Sequence, residues 1–166
     1  MNHLQKITDK IFPDFPEFRP LLEKWRKAGD KLVFTNSCFD LLHRGHVEYL
    51  AKEASKGDRL IVGLNSDASV TRLKGLSRPL IDGESRAVML AALTSVDAVV
   101  LFEEDTPDRL VKEVLPDLLV KGSDWELHKI VGADTVLARG GKVETIELSP
   151  GFSTSEMIEK IRNLTP

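Results

Sequence analysis

Cysteine, charge of one sign and long apolar runs are all scarce in this chain, and each scarcity removes a class of protein. Among 166 residues Cys38 is the single cysteine, so no internal disulfide can form and a reducing compartment is suited. No base is paired with Cys38 in the sequence, which makes it a small core or turn residue and not a nucleophile. Lys and Arg number 23 against 26 Asp and Glu, a net charge of −3, so there is no broad basic field to hold long nucleic acid or an anionic membrane. Met1 to Lys10 lacks the apolar core of a signal peptide, and no apolar run approaches a membrane span. The expected setting is cytoplasmic.

What is present is ordinary for one soluble globular domain: 42% hydrophobic and 30% charged residues, enough to bury a single substantial core. Residues 1–30 read as an N-terminal arm, with a turn-prone Phe12-Pro13-Asp14-Phe15-Pro16 patch and a helix from Glu17 to Ala28 that stops at Gly29. Phe18, Leu21, Leu22 and Trp25 form one apolar stripe on it, expected to dock on the domain that fills residues 31–166. From Lys31 onward short apolar runs alternate with helical patterns. Strands are expected at Leu32–Thr35, Arg59–Asn65, Asp97–Phe102, Asp117–Lys121 and Lys142–Leu148. Helices are expected near 46–56, 83–94, 106–115, 126–138 and 154–163, the third capped by Thr106 ahead of Pro107. The alternation predicts an α/β fold, a Rossmann-like doubly wound sheet of five parallel strands with an N-terminal helical arm. Ligands in such sheets sit outside the carboxyl ends of the strands.

The residues after the first strand carry the strongest signal. Phe34-Thr35-Asn36-Ser37-Cys38-Phe39-Asp40-Leu41-Leu42-His43-Arg44-Gly45-His46 runs from a buried strand through a turn into a helix whose apolar face reads Val47, Leu50, Ala51 and Ala54. A helix start leaves backbone N–H groups unpaired and is the positive end of the dipole, so an anion, above all a polyphosphate, suits it. His43 and His46 can both donate to phosphate oxygens there, and Gly45 removes a side chain that would block their approach. After the second strand, Arg72, Lys74 and Arg78 make a basic loop able to close over a phosphorylated substrate, with Asp67 read as a helix cap or, second to that, a ribose contact. Arg86 sits in a first helical turn, unfavourable to the dipole, which suits either an anion contact or solvent exposure. Lys121 closes an apolar strand at the ligand edge and is read as a phosphate contact. Ser153 with Glu156 matches a capping box whose hydroxyls and free N–H groups can face the same phosphates.

The run N-x-C-F-D-L-L-H-x-G-H resembles the signature of the cytidylyltransferase-like nucleotidyltransferases, with Ser37 standing where relatives usually carry glycine. L-K-G-x-S-R-P, E-E-D-T-P, L-L-V-K-G-x-D-W and G-x-S-T-S extend the resemblance over nearly all of residues 31–163, most closely to heptose 1-phosphate adenylyltransferases. It implies transfer of AMP from ATP to D-glycero-D-manno-heptose 1-phosphate with release of pyrophosphate, Mg²⁺ riding on the nucleotide, and a product bound for lipopolysaccharide or related glycans. It implies catalysis by His43, His46 and Lys74. Nucleotide contacts would come from Asn36, Cys38, Phe39, Gly45, Lys121, Gly122, Ser153, Thr154 and Ser155. Acceptor contacts would come from Asp40, Arg72, Lys74 and Arg86, with no metal held by protein side chains alone. The expected partners are ATP and a sugar phosphate, with no nucleic acid and no membrane, and the expected assembly is a homodimer. Two alternatives stay open: a cytidylyltransferase acting on glycerol 3-phosphate or a similar polyol phosphate, and a nucleotide-binding protein without turnover. Leu148 stands where the glycerol-phosphate enzymes carry arginine, which weighs against CTP.

Overall fold

A computed structural model describes residues 2–164, so the first residue of the expected arm and the last two of the expected domain lie outside it. The chain runs α1 (His3–Thr8), β1 (Ile11–Phe12), α2 (Phe15–Ala28), β2 (Leu32–Ser37), α3 (Arg44–Ala54), β3 (Arg59–Asn65), α4 (Asp67–Lys74) and α5 (Gly83–Ala91). It continues β4 (Ala98–Phe102), α6 (Asp108–Val114), β5 (Leu118–Gly122), a 3-10 turn (Leu127–Lys129), α7 (Ala133–Ala138), β6 (Lys142–Ile146) and α8 (Thr154–Arg162). The strands form one parallel sheet of six, in the order β1-β4-β3-β2-β5-β6. The sequence predicts five; the sixth, β1, is two residues that pair with Val99 and Val100 at the edge, too short to leave a periodic signal. Among the described residues no helix is long and apolar enough to cross a membrane.

Alternate residues along each strand serve opposite faces, and both faces are covered, which is why the strands read as unbroken apolar runs. Leu32, Phe34, Ile61, Val100 and Leu119 pack under α2, α6 and α7; Val33, Leu60, Val62, Val99 and Val120 pack under α3 and α5. The α2 stripe docks there, with Phe18, Leu22 and Trp25 buried in the first cluster and Leu21 partly so. Its start is capped by Asp14, which accepts from the Glu17 amide at 3.0 Å, and Gly29 ends it in the left-handed region at φ 80°.

Three local expectations change. Arg72 and Lys74, read as part of a basic loop, lie in helix α4, which is capped by Ser66 and not Asp67: the Ser66 hydroxyl accepts from the Ser69 amide at 3.2 Å. Thr106 does not cap α6, whose start has no side-chain cap. Most consequential, α3 is rotated from its expected face: Gly45, Tyr49, Leu50 and Glu53 are buried, while Val47 and Ala51 are exposed. Reading the apolar letters missed a carboxyl that goes into the core in place of an alanine.

The connections fix where a ligand belongs. From β2 the chain moves outward through β3 to β4, then crosses back to β5 on the other side of β2. The order therefore reverses at β2 and β5, and the crevice opens beyond Ser37 and Gly122.

Candidate active site

Beyond Ser37 the chain turns through Phe39, buried at φ +44°, and enters α3 with His43 as its N-cap. The cap is reciprocal: the His46 amide donates to His43 Nδ1 and the His43 amide to His46 Nδ1, each at 3.4 Å. Both bonds are long, but the rings also stack, centroids 3.8 Å apart and 18° from parallel, with Phe39 edge-on to His46 at 5.2 Å. An Nδ1 that accepts carries no proton, so each neutral ring holds its hydrogen on Nε2. Burial lowers the His43 pKa; burial and the neighbouring His43 bring His46 down to about 4 against the pull of the Leu41 carbonyl. Both rings are thus neutral at physiological pH.

Those rings line a cavity of ≈ 190 Å³ together with Gly45, Tyr49, Leu148, Ser149, Phe152, Ser153 and Thr154. The Ser153 hydroxyl caps α8, accepting from the Glu156 amide at 3.1 Å, so two helix starts, both positive ends, meet at one cavity. Gly45 lines this cavity and also has a packing reason to be glycine. A Cβ there would lie 2.8 Å from the Phe152 Cβ and 3.1 Å from the His43 ring, so glycine lets the α3 start close onto the turn before α8. Ser155 is not brought in; it opens on a separate groove with Arg78 and Glu159.

A second cavity, ≈ 440 Å³, opens at the carboxyl ends of β2, β3 and β5 and takes in Asn36, Ser37, Cys38, Asn65, Lys74, Asp105, Lys121, Asp124 and Trp125. It adjoins the first: Leu148 of the smaller packs beside Gly122, next in sequence to Lys121 of the larger. Lys121 Nζ donates to the Asn36 carbonyl at 2.8 Å and to Asn36 Oδ1 at 3.1 Å. Burial brings its pKa down to about 8 despite Glu53, Asp124 and Cys38. The Cys38 thiol is pushed up by burial although Lys74, Arg86 and Arg78 oppose this, so it is no thiolate nucleophile. Ser37 is an exposed rim residue outside the positive-φ set, and its side chain is accommodated without glycine's freedom. Gly122 is buried at the end of β5, where a Cβ would meet Asp124 Oδ1 at 2.6 Å.

Three residues expected on the acceptor are turned to the protein instead. The buried Asp40 carboxylate accepts from the Leu80 and Ile81 amides at 2.8 and 3.0 Å and pairs with Arg78. Burial works against its charge, but the Ile81 amide, Arg78 and the Leu80 amide together hold its pKa below the usual carboxylate range. Arg86, neither solvent-exposed nor at an anion site, is 0% exposed and donates to the Ile81 carbonyl at 3.0 Å, the Cys38 carbonyl at 2.6 Å and Asp67 at 2.7 Å. Arg72 pairs with Asp105 at 2.6 Å and reaches the Glu103 carbonyl.

Sequence reasoning missed Glu53. It is fully buried, neither oxygen has a partner at hydrogen-bond geometry, and burial pushes its pKa up to about 8. It is therefore neutral at pH 7, beside the Tyr49 and Thr35 hydroxyls, which meet at 3.2 Å. A charged residue at i+7 from His46 on the core-facing stripe was the available signal.

A parallel sheet reversing at β2, an imidazole-capped helix start facing a second helix start, and a lysine-bearing crevice beside them define a nucleotidyltransferase. The chain belongs to the cytidylyltransferase-like family, whose model matches residues 34–160. It is 50% identical over 161 residues to the bifunctional protein HldE of Citrifermentans bemidjiense, covering 97% of this chain and 33% of that protein. To HldE of Pseudomonas aeruginosa it is 53% identical over 141 residues, 85% of this chain and 30% of that protein. The chain thus spans about a third of the length of these relatives. Among solved structures, a lipopolysaccharide core biosynthesis protein from Thermoplasma volcanium superposes with a TM-score of 0.61 at 28% identity, covering 73% of this chain and 98% of that one.

Proposed function

We propose that this chain transfers AMP from ATP to D-glycero-D-manno-heptose 1-phosphate, giving ADP-heptose and pyrophosphate. The observation that carries the reading is the shared small cavity: two neutral imidazoles and the Ser153-capped start of α8 lie around one space. The similarity to HldE and to a lipopolysaccharide core biosynthesis protein supports the heptose as acceptor.

In the reaction an oxygen of the sugar phosphate attacks the α-phosphorus of ATP. The new P–O bond forms as the bond to the β-phosphate oxygen breaks, and both electrons leave with pyrophosphate. Such a transfer needs alignment and charge stabilisation more than covalent help. His43 and His46 donate Nε2–H to the triphosphate and stabilise the pentavalent phosphorus. Lys74 and Lys121 hold the attacking phosphate and screen it from the α-phosphate. Among the described residues no three His, Cys, Asp or Glu side chains converge as a metal cage, and an Mg²⁺ ion brought in with the nucleotide would supply charge neutralisation on the phosphates.

The test is pyrophosphate release with ATP or CTP against α- and β-heptose 1-phosphate and glycerol 3-phosphate. ATP with one heptose anomer is the expected pair. Turnover of CTP with glycerol 3-phosphate would replace this reading with the cytidylyltransferase one, and ATP binding without turnover on any acceptor would leave a nucleotide-binding protein.

A further inference from the structure

The larger cavity has a make-up that a triphosphate does not call for. Its two lysines, Lys74 and Lys121, face two carboxylates, Asp105 and Asp124, so a polyanion would meet repulsion as well as attraction. A sugar monophosphate asks for something else: cations at one end, acceptors for ring hydroxyls, and an apolar surface for the C–H face of the ring. Trp125 supplies that surface. It is 45% exposed and lines the cavity, whereas the other tryptophan, Trp25, is 7% exposed in the core. Lys121 Nζ stands 5.3 Å from the Trp125 ring centroid, so a phosphate gripped by this ammonium brings its attached sugar to the indole. Asp105 is fixed by its pair with Arg72 at 2.6 Å, which leaves a second oxygen for a hydroxyl.

We infer that this cavity is the sugar subsite of the acceptor, with Trp125 the platform beneath the ring, Asp124 and Asp105 the acceptors for its hydroxyls, and Lys121 with Lys74 the clamp on its phosphate. This rests on the proposed sugar 1-phosphate acceptor and adds which residues select it. Trp125 and Asp124 are then specificity-determining, and the nucleotide lies against the histidine-lined cavity.

Tryptophan emission tests it without turnover. Heptose 1-phosphate, a non-hydrolysable α,β-methylene ATP and inorganic phosphate are titrated separately into wild type and Trp125→Phe. The sugar phosphate should shift wild-type emission and leave Trp125→Phe, which retains the buried Trp25, unchanged; the nucleotide analogue should leave both near baseline. In steady state, Trp125→Ala should raise KM for the sugar phosphate about tenfold or more, the loss of one buried aromatic contact, with KM for ATP unchanged. Trp125→Phe should recover most of that, and Asp124→Asn should raise the same KM several-fold. Emission that answers to the nucleotide analogue and not the sugar, or an unchanged sugar KM in Trp125→Ala, overturns the subsite even while heptose turnover stands. If another sugar phosphate proves to be the acceptor, the same titrations with it decide the subsite independently of the heptose. If no sugar phosphate moves the emission or turns over, the inference falls.

Discussion

Two sets of basic residues occupy the same end of this molecule and do different work. Arg86, Arg78 and Arg72 are tied to the protein: Arg86 to two carbonyls and Asp67, Arg78 to Asp40, and Arg72 to Asp105 and a carbonyl. Lys74 and Lys121 instead line the crevice. The division follows from shape. A guanidinium is a flat fork of donors that can bind several fixed acceptors at once, whereas an ammonium is a compact charge on a flexible stem. The arginines therefore lock the segments that follow β2, β3 and β4, whereas Lys121, with two of its three donors on Asn36, and Lys74 keep their ammonium groups at the crevice. Substitutions on either side should separate stability from turnover.

The largest effect belongs to Arg86. Arg86→Ala would strip donors from the Cys38 and Ile81 carbonyls and leave a void in the core, a loss of roughly 3–5 kcal/mol in urea unfolding. Arg86→Lys keeps the charge but cannot span three separated acceptors, so it should recover less than half. A fully stable lysine variant would show that charge alone matters at that position and break the contrast.

His46→Ala should do the reverse. Losing a donor to the transition state costs roughly 10²–10³ in kcat, while the lost cap contact costs only about 1 kcal/mol of stability. Near-wild-type turnover would refute the role of the ring. The depressed pKa adds a signed check. Folded His46 stays neutral to about pH 4, whereas the unfolded chain takes up its proton near 6.5. Between those values the unfolded state binds more protons, so stability falls as pH is lowered. The wild-type urea midpoint should drop more steeply than that of His46→Ala over this window.

This pairing of imidazole and helix start was legible because it is local: a strand, a turn, His43, Gly45 and His46 within one stretch. The alternation of strands and helices was legible for the same reason, since each element writes its own period. What sequence hid depends on partners far along the chain. Arg86 meets Cys38, 48 residues away, and Asp40 meets Leu80 and Ile81, 40 and 41 away, so neither shows in any window whether it faces solvent, substrate or core. Glu53 was hidden differently. A glutamate letter stands for a charge, and only burial turns it into a neutral group that can share a core face with Leu50.

Lys121 gives a middle-sized effect that pH resolves. With its pKa at about 8, the free enzyme loses the ammonium as pH rises through 8, and KM for the sugar phosphate should climb there. Stability moves the other way: between about 8 and the unfolded value near 10.4 the unfolded chain holds more protons, so the cost of the buried charge is relieved as pH rises. Lys121→Arg stays charged throughout and should flatten the KM limb even if kcat drops. A limb that persists in the arginine variant would assign it to another group.

Arg72→Ala is the smallest and tests the boundary between the two sets. Its pair with Asp105 is about half exposed on both sides, so the stability cost should stay within roughly 0.2–1 kcal/mol and shrink further in high salt as the charges are screened. Asp105, however, lines the crevice, and without Arg72 its carboxylate is neither fixed nor partly neutralised. KM for the sugar phosphate should then rise a few-fold through repulsion of the phosphate, while KM for ATP stays put. An equal rise in both would mean that Arg72 reaches the nucleotide directly, and would move it from the frame to the cleft.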